Sequence, residues 1–109
     1  MFPLFGIHNV FNRQSGIVAG NAWTKFAASG NSRAGIEIRN ADPSLKLWVR
    51  RQERSQSAPS APTGPSDADF AIPADESLTL GYGGAIDIYL ANSSGTATTS
   101  AYIVSEVAF

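Results

Sequence analysis

Few side chains in this chain of 109 residues could carry acid–base or metal chemistry, and their spacing does not bring them together. The single histidine, His8, lies in an apolar N-terminal segment, far in sequence from any aspartate or serine that could orient it. A hydrolase triad or a histidine-rich metal site is therefore not expected. The chain has no cysteine, so disulfides and thiolate sites are excluded.

Two pairs of carboxylates remain, Asp67 with Asp69 and Asp75 with Glu76. Adjacent strand residues point to opposite faces, so the second pair cannot converge on one atom unless the chain bends there. The first pair could bind calcium with loop carbonyls, but the pattern supplies no further ligands. The sequence GYGG at 81–84 lacks the lysine and the following helix of a phosphate loop. We therefore expect a protein that is not an enzyme and that holds no cofactor and no metal.

The elements that would position a functional side chain are strands. Apolar and polar residues alternate in residues 34–39 (AGIEIR) and 45–51 (LKLWVRR), which is the period of a half-buried strand. Three more apolar pulses lie in Phe70–Ala91, and the glycines within 81–84 predict a tight hairpin between the last two. A final strand is expected within Thr96–Phe109. The fold is thus predicted to be all-β, an antiparallel β-sandwich or jelly-roll-like domain of six to eight strands.

The same alternation predicts the core. Its expected members are Ile36, Ile38, Leu47, Val49, Leu78, Leu80, Ile86, Ile88 and Ile103. A first strand over residues 22–27 would place Trp23 and Lys25 on the face opposite to Phe26.

The outer face of the 45–51 strand is predicted to carry Trp48 between Lys46 and Arg50. Two interpretations stay open: the stems of the cations cover the ring, or the ring anchors an interface. Under the second interpretation Trp48, Arg50, Arg51 and Tyr89 are candidate partner-binding residues.

Residues 1–21 are predicted to form an N-terminal arm that precedes a single domain over residues 22–109. Phe2, Phe5 and Phe11 crowd this segment with apolar surface and without clean alternation, and such surface must be covered. The segment is either a strand or strap over its own core, or an arm that docks on a neighbouring subunit. In the second case the three phenylalanines bind the partner.

Residues 54–69 are rich in Pro and Ser and predict a long exposed loop, although prolines at three-residue spacing also suit a polyproline II ligand. The sequon that begins at Asn92 would matter only on a secretory route.

The charges are unevenly distributed along the chain. All eight Lys and Arg lie at or before Arg54, and six of the nine acidic residues follow it. Either folding mixes the two halves, or the surface has a basic and an acidic patch that would suit subunits meeting head to tail. A net charge of −1 does not suggest a nucleic-acid partner, and no apolar run is long enough to span a membrane.

A set of motifs resembles small β-sandwich structural proteins of tailed bacteriophages. The motifs are the amphipathic strand Gly35–Asn40, the strand Leu47–Val49, the proline-containing corner Ile72–Leu80, the strand Ile86–Asn92 and the closing Val104–Val107. The similarity covers about residues 22–109. It implies a virion structural role without catalytic residues, as a capsid cement or decoration protein that stabilises the head lattice, or as a tail or fibre component.

The resemblance also implies the partners and the location. These are the major capsid protein or another virion protein, a homo-oligomer with a trimer favoured, and the virion, assembled in the host cytoplasm. The alternative is a carbohydrate-binding or receptor-binding module. Its stacking platforms would be Trp23, Trp48, Tyr82 and Tyr89.

Overall fold

In a computed structural model of the chain, the residues described are 9–26, 34–54, 56–83 and 85–108. They form eight β-strands and one turn of 3-10 helix at Pro65–Asp67. The strands are β1 (Asn9–Ala19), β2 (Thr24–Lys25), β3 (Gly35–Asn40), β4 (Leu47–Glu53), β5 (Phe70–Ile72), β6 (Ser77–Leu80), β7 (Ile86–Asn92) and β8 (Thr99–Ala108).

The strands form two four-stranded sheets. The first sheet has the order β1-β8-β3-β6 and the second has the order β2-β7-β4-β5. Every strand pair in both sheets is antiparallel. The predicted antiparallel β-sandwich is therefore confirmed.

The chain changes sheet at every connection except the one between β4 and β5. Strands β6 and β7, for which the glycines predicted a tight hairpin, lie in different sheets, so they do not pair with each other. The hairpin prediction is wrong. Alternation shows which face of a strand is apolar. It does not show whether the next strand lies beside it in the same sheet or opposite it in the facing sheet, because the apolar face is buried in both cases.

The core lies between the sheets and contains most of the predicted residues. Ile36, Ile38, Leu47, Val49 and Ile88 are buried, as predicted. Leu78, Leu80 and Ile86 are half-buried and pack against the same cluster. The cluster also holds Val18, Phe26, Ile72, Leu90, Tyr102 and Val104.

Ile103 is the one predicted core residue that faces the other way. Its neighbours Tyr102 and Val104 belong to the core cluster, whereas Ile103 is half-buried on the outer face of the first sheet. Strand β8 carries large apolar side chains at both parities, so its sequence does not decide which set points inward.

The N-terminal segment contributes a strand to the sandwich. Residues 9–19, assigned from sequence to the arm, form β1 and pair with β8 along its whole length. Gly16 lies against Tyr102, where a Cβ atom would stand 2.8 Å from the tyrosine hydroxyl. The interpretation as a strand over its own core therefore applies to residues 9–19, and residues 1–8 lie outside the described part of the chain.

The two ends of the sandwich differ. The end formed by connections 20–23, 41–46, 73–76 and 93–98 is called the pinned end here. The opposite end, at which β4 ends and β5 and β7 begin, is called the loop end.

Candidate functional site

The pinned end is fixed by Asn40, the last residue of β3, whose side chain is fully buried. Its Nδ2 donates to the backbone oxygens of Leu45, Ile72 and Pro73 at 2.8, 3.0 and 3.2 Å, and its Oδ1 accepts from the Asp42 amide at 3.1 Å. One side chain thus ties together two connections that link the two sheets.

Asn92, the last residue of β7, has a similar arrangement on the other side of the same end. Its Nδ2 donates to the backbone oxygens of Val18 and Thr98 at 2.9 and 2.8 Å, and its Oδ1 accepts from the Ser94 amide at 3.0 Å. The side chain is fully buried, so the nitrogen of the predicted sequon is not accessible in the folded protein. Asn40 follows Ile38, and Asn92 follows Leu90, at the next inward-facing position of its strand. An amide side chain at an inward-facing strand end is the sequence signal that could have identified these residues.

Asp42 reinforces the first corner. The amides of Leu45 and Ser44 donate to its Oδ2 at 2.6 and 2.9 Å, and the Ser44 hydroxyl does so at 3.2 Å. These hydrogen bonds lower the pKa of Asp42 below its ordinary value, and the bond from the Leu45 amide has the largest effect.

The loop end carries a group of exposed charged side chains, Arg51, Glu53 and Arg54. Arg51 and Glu53 have the parity of the inward-facing Leu47 and Val49, but they stand beyond the apolar core and are exposed. The Arg51 guanidinium lies 5.5 Å from the centre of the Tyr82 ring and donates to the Tyr82 hydroxyl at 3.3 Å. Phe70 supports the tyrosine, with 6.5 Å between the two ring centres.

Two shallow depressions adjoin each other at this end, with volumes of about 440 and 370 Å³. Both are lined by Glu53 and Ile86, which face each other across β4 and β7. The larger is completed by Arg54 and Ala85, and the smaller by Arg51, Gln52 and Gln56. Charges of both signs and amides beside one aliphatic side chain suit contact with a polar surface rather than enclosure of a substrate.

A carboxylate is buried inside the first sheet. Glu106 is 1% exposed and shares the inward parity of Ile36, and its Oε1 accepts from Asn12 Nδ2 at 2.5 Å. Gln14 in turn donates to Asn12 at 3.3 Å. Sequence reasoning gave this carboxylate no role, because one acidic residue within an apolar strand has no spacing pattern.

The predicted partner-binding face around Trp48 is covered. Leu47 and Val49 face the core, so the predicted strand register holds and Trp48 points outward, yet Trp48 and Tyr89 are only 7% and 5% exposed. The two rings are therefore covered in this structure, and their assignment to partner binding stays a prediction. Arg51 remains exposed, while Arg50 is half-buried and donates to the backbone oxygen of Asp67 at 3.3 Å.

The Pro/Ser-rich loop is attached to that outer face. Gln52 and Arg50, both of outward parity, donate to the backbone oxygens of Ser57 and Asp67, near the two ends of the loop. Pro59 and Pro62 are half-buried, whereas Pro65 is exposed. A polyproline ligand is recognised through its prolines, and the partial burial of two of the three does not favour that interpretation.

The remaining sequence-predicted residues are placed as follows. Phe2 and Phe5 lie outside the described residues, and Phe11 lies in β1, where its side chain is not described. Asp67 Oδ2 accepts from the Thr63 amide and hydroxyl at 2.6 and 2.7 Å, and Asp69 accepts from the Arg51 amide at 2.8 Å, so both carboxylates hold the loop.

Within the described ranges, no three His, Cys, Asp or Glu side chains lie close enough to hold a metal ion. The part of the chain that is described also contains no helix of the length and hydrophobicity that crossing a membrane requires. Comparison with protein-family models, with curated proteins and with solved structures finds no match to this chain.

Proposed function

We propose that this chain is a non-enzymatic virion structural protein, most directly a cement or decoration protein that binds and stabilises a phage head lattice. The observation that carries the proposal is the strand order, β1-β8-β3-β6 facing β2-β7-β4-β5, with a change of sheet at all but one connection. We interpret this order as an eight-stranded jelly roll, an architecture found in viral capsid and lectin domains. An architecture alone assigns no function, so the side chains must support the same conclusion.

The use of buried polar groups favours a structural role over catalysis. The side-chain hydrogen bonds of Asn40 and Asn92 hold the backbone at the pinned end, and Asp87 forms an ion pair with Lys25 at 3.4 Å. An enzyme of this size would be expected to direct some of its buried polar groups toward a cleft. These residues instead rigidify the sandwich, as a lattice-binding protein requires.

The loop end is the surface that we assign to the virion partner. Arg51, Glu53 and Arg54 are exposed there beside the half-buried Ile86, so a polar rim surrounds a small apolar centre. The docking of Phe2, Phe5 and Phe11 on the coat protein stays a prediction.

The carbohydrate-binding alternative loses its main support. A sugar platform needs exposed, coplanar aromatic rings, and Trp48 and Tyr89 are almost wholly buried. The face of Tyr82 is contacted by Arg51. We therefore do not advance the platform as a second proposal.

The test is co-sedimentation of the full chain with phage heads purified without decoration protein. We expect saturable binding that Arg51→Ala weakens, while Arg39→Ala, which removes an exposed arginine from the outer face of the first sheet, binds like the parent. Failure of the parent chain to sediment with heads, together with binding to immobilised glycans, would reject the proposal in favour of the carbohydrate module.

A further inference from the structure

Strand β1 is an unusually long edge. It pairs with β8 on one side, and none of the strands described here pairs with its other side. The other three edge strands, β2, β5 and β6, have two, three and four residues, whereas β1 has eleven. Short edge strands protect a sheet against pairing with another chain, and β1 lacks this protection.

The hydrogen-bond pattern shows which backbone groups of β1 face the free edge. The amide of Ala41, which follows β3, donates to the Ala101 oxygen at 3.1 Å, so the backbone groups of Ala101 point toward β3. Because these groups alternate in direction along an antiparallel strand, Tyr102 and Ser100 point toward β1 and bond with Gly16 and Val18, their register partners. The amides and carbonyls of the intervening β1 residues, Arg13, Ser15 and Ile17, therefore point away from the sheet.

The side chains of this edge do not block pairing. Arg13 is the only charged residue of β1, the strand contains no proline, and its one irregularity is a register shift between Val10 and Asn12, near its start. Val10 and Ile17 are 54% and 64% exposed, and they are the exposed large hydrophobic residues of the described chain. Both project from β1.

We propose that β1 pairs antiparallel with β1 of a second copy of this chain, about a two-fold axis at Ser15. Arg13 then stands opposite the partner's Ile17, and Ser15 stands opposite the partner's Ser15. Three hydrogen-bonded residue pairs form, which satisfy the backbone groups that point away from the sheet. The two first sheets become one continuous sheet of eight strands.

The side chains select this register. The stem of each Arg13 covers the exposed Ile17 of the other copy while its charge stays in water. A register centred on Arg13 would oppose two like charges, and one centred on Gly16 would leave Ile17 beside a serine.

The occupant of the edge is a second copy because, about this two-fold axis, the Arg13 stem of each copy covers the exposed Ile17 of the other and no like charges meet. The paired segment of seven residues is about 24 Å long, which places the interface below the roughly 1,200 Å² of standard complexes. We therefore expect a weak dimer, populated at high micromolar concentration. The inference does not depend on the proposed virion role, and the trimer implied by the resemblance would need a different surface.

Charge variants at Ile17 test the register, because this exposed side chain can be changed without disturbing the core. Ile17→Lys opposes two positive charges across each of two symmetric pairs, and we expect it to raise the dimer Kd about tenfold. Ile17→Glu places opposite charges there and should leave the Kd unchanged or lower it. The double change Arg13→Glu with Ile17→Lys should restore pairing. Sedimentation velocity over a concentration series measures all four proteins.

A cysteine cross-link tests the position of the axis, since the chain has no cysteine of its own. Hydrogen-bonded partners stand about 5.5 Å apart between Cα atoms, within the range of a disulfide, so Ser15→Cys should form a linked dimer on mild oxidation. Ser77→Cys is the matched control, an exposed serine on the outer face at the opposite edge of the same sheet. A wild-type chain that stays monomeric at about 1 mM, equal linking of the two cysteine variants, or Kd changes of the same sign for the two Ile17 variants would overturn the proposal.

Discussion

Asn40 and Asn92 stand at equivalent places, each as the last residue of its strand and each at the first position where the inward parity leaves the apolar core. The carbonyls that they bond belong to connections at the pinned end and to two strand residues, Ile72 and Val18, whose bonds are buried. Leaving such a group unsatisfied costs about 1–3 kcal/mol, so each amide contributes more than an exposed hydrogen bond does.

The change Asn92→Asp isolates this contribution, because the two side chains have nearly the same shape. The carboxylate would present an oxygen to the carbonyls of Val18 and Thr98 in place of an amide hydrogen. We expect a loss of at least about 3 kcal/mol in the free energy of unfolding at pH 7, measured by urea denaturation. Asn21→Asp, at an exposed position beside the same end, should be nearly neutral; an equal loss in both variants would contradict the account.

The alternation of β4 places Trp48 on the outer face of its sheet, yet its side chain is buried. Its substitution by Ala should reduce the free energy of unfolding by about 3–5 kcal/mol, as expected for a large aromatic side chain removed from a packed site. The measurement is thermal and urea unfolding of the variant at a concentration where the chain is monomeric. A variant as stable as the parent that had lost only its ability to assemble would instead show that the ring is exposed for binding.

At the scale of elements, the loop between β4 and β5 is held by its own acidic residues. The Thr63 amide, then the Thr63 hydroxyl, and more weakly the charge of Arg50 lower the pKa of Asp67 below its ordinary value. A lowered folded-state pKa means that the ionised form stabilises the loop. This contribution is present above the unfolded pKa of about 3.9 and is lost as the pH falls through the lower folded value.

We therefore expect the loop to loosen on acidification or on replacement of Asp67 by Asn, while the sheets stay intact. Hydrogen exchange followed by mass spectrometry should show faster exchange over residues 57–67 in Asp67→Asn at neutral pH. The matched control is Asp75→Asn, an exposed aspartate in the connection between β5 and β6. Equal exchange in the loop of all three proteins would show that the bonds from Thr63 do not hold it.

The sequence predicts the strands well where one parity is apolar and the other polar. Residues 34–39 alternate cleanly, and Ile36 and Ile38 are buried as this predicts. Strand β8 and the segment that became β1 carry apolar residues at both parities, so their orientation could not be read from periodicity. Long-range pairing could not be read either, because nothing local in the glycine connection after β6 distinguishes a hairpin from a crossover between sheets.

The candidate site was less predictable than the fold for a physical reason. The sequence identifies aromatic and basic residues that suit an interface, but their exposure depends on whether another segment of the folded chain covers them. Trp48, Tyr89 and Arg50 became buried or half-buried, and Arg51, next in the chain, stayed exposed at the loop end. Arg50 and Arg51 are neighbours in the chain, and they differ in the face of β4 to which they point.

At the scale of the whole molecule, folding mixes the charges that the sequence keeps apart. Lys25 of β2 pairs with Asp87 of β7, and Arg50 of β4 lies near Asp67 of the following loop. For these residues, folding brings basic side chains from the first half of the sequence next to acidic residues from the second half. The two ends of the molecule differ in their side chains: the buried Asn40 and Asn92 fix connections at one end, and the exposed Arg51, Glu53 and Arg54 line shallow depressions at the other.

Quantitative mass spectrometry of particles from the source that encodes this chain would test the proposed virion role. The particles would be separated on a density gradient and the chain measured in every fraction beside the major capsid protein. The account predicts that the chain follows the capsid protein in a fixed ratio across the particle peak. A chain that stays at the top of the gradient, while intact particles lack it, would contradict the virion role.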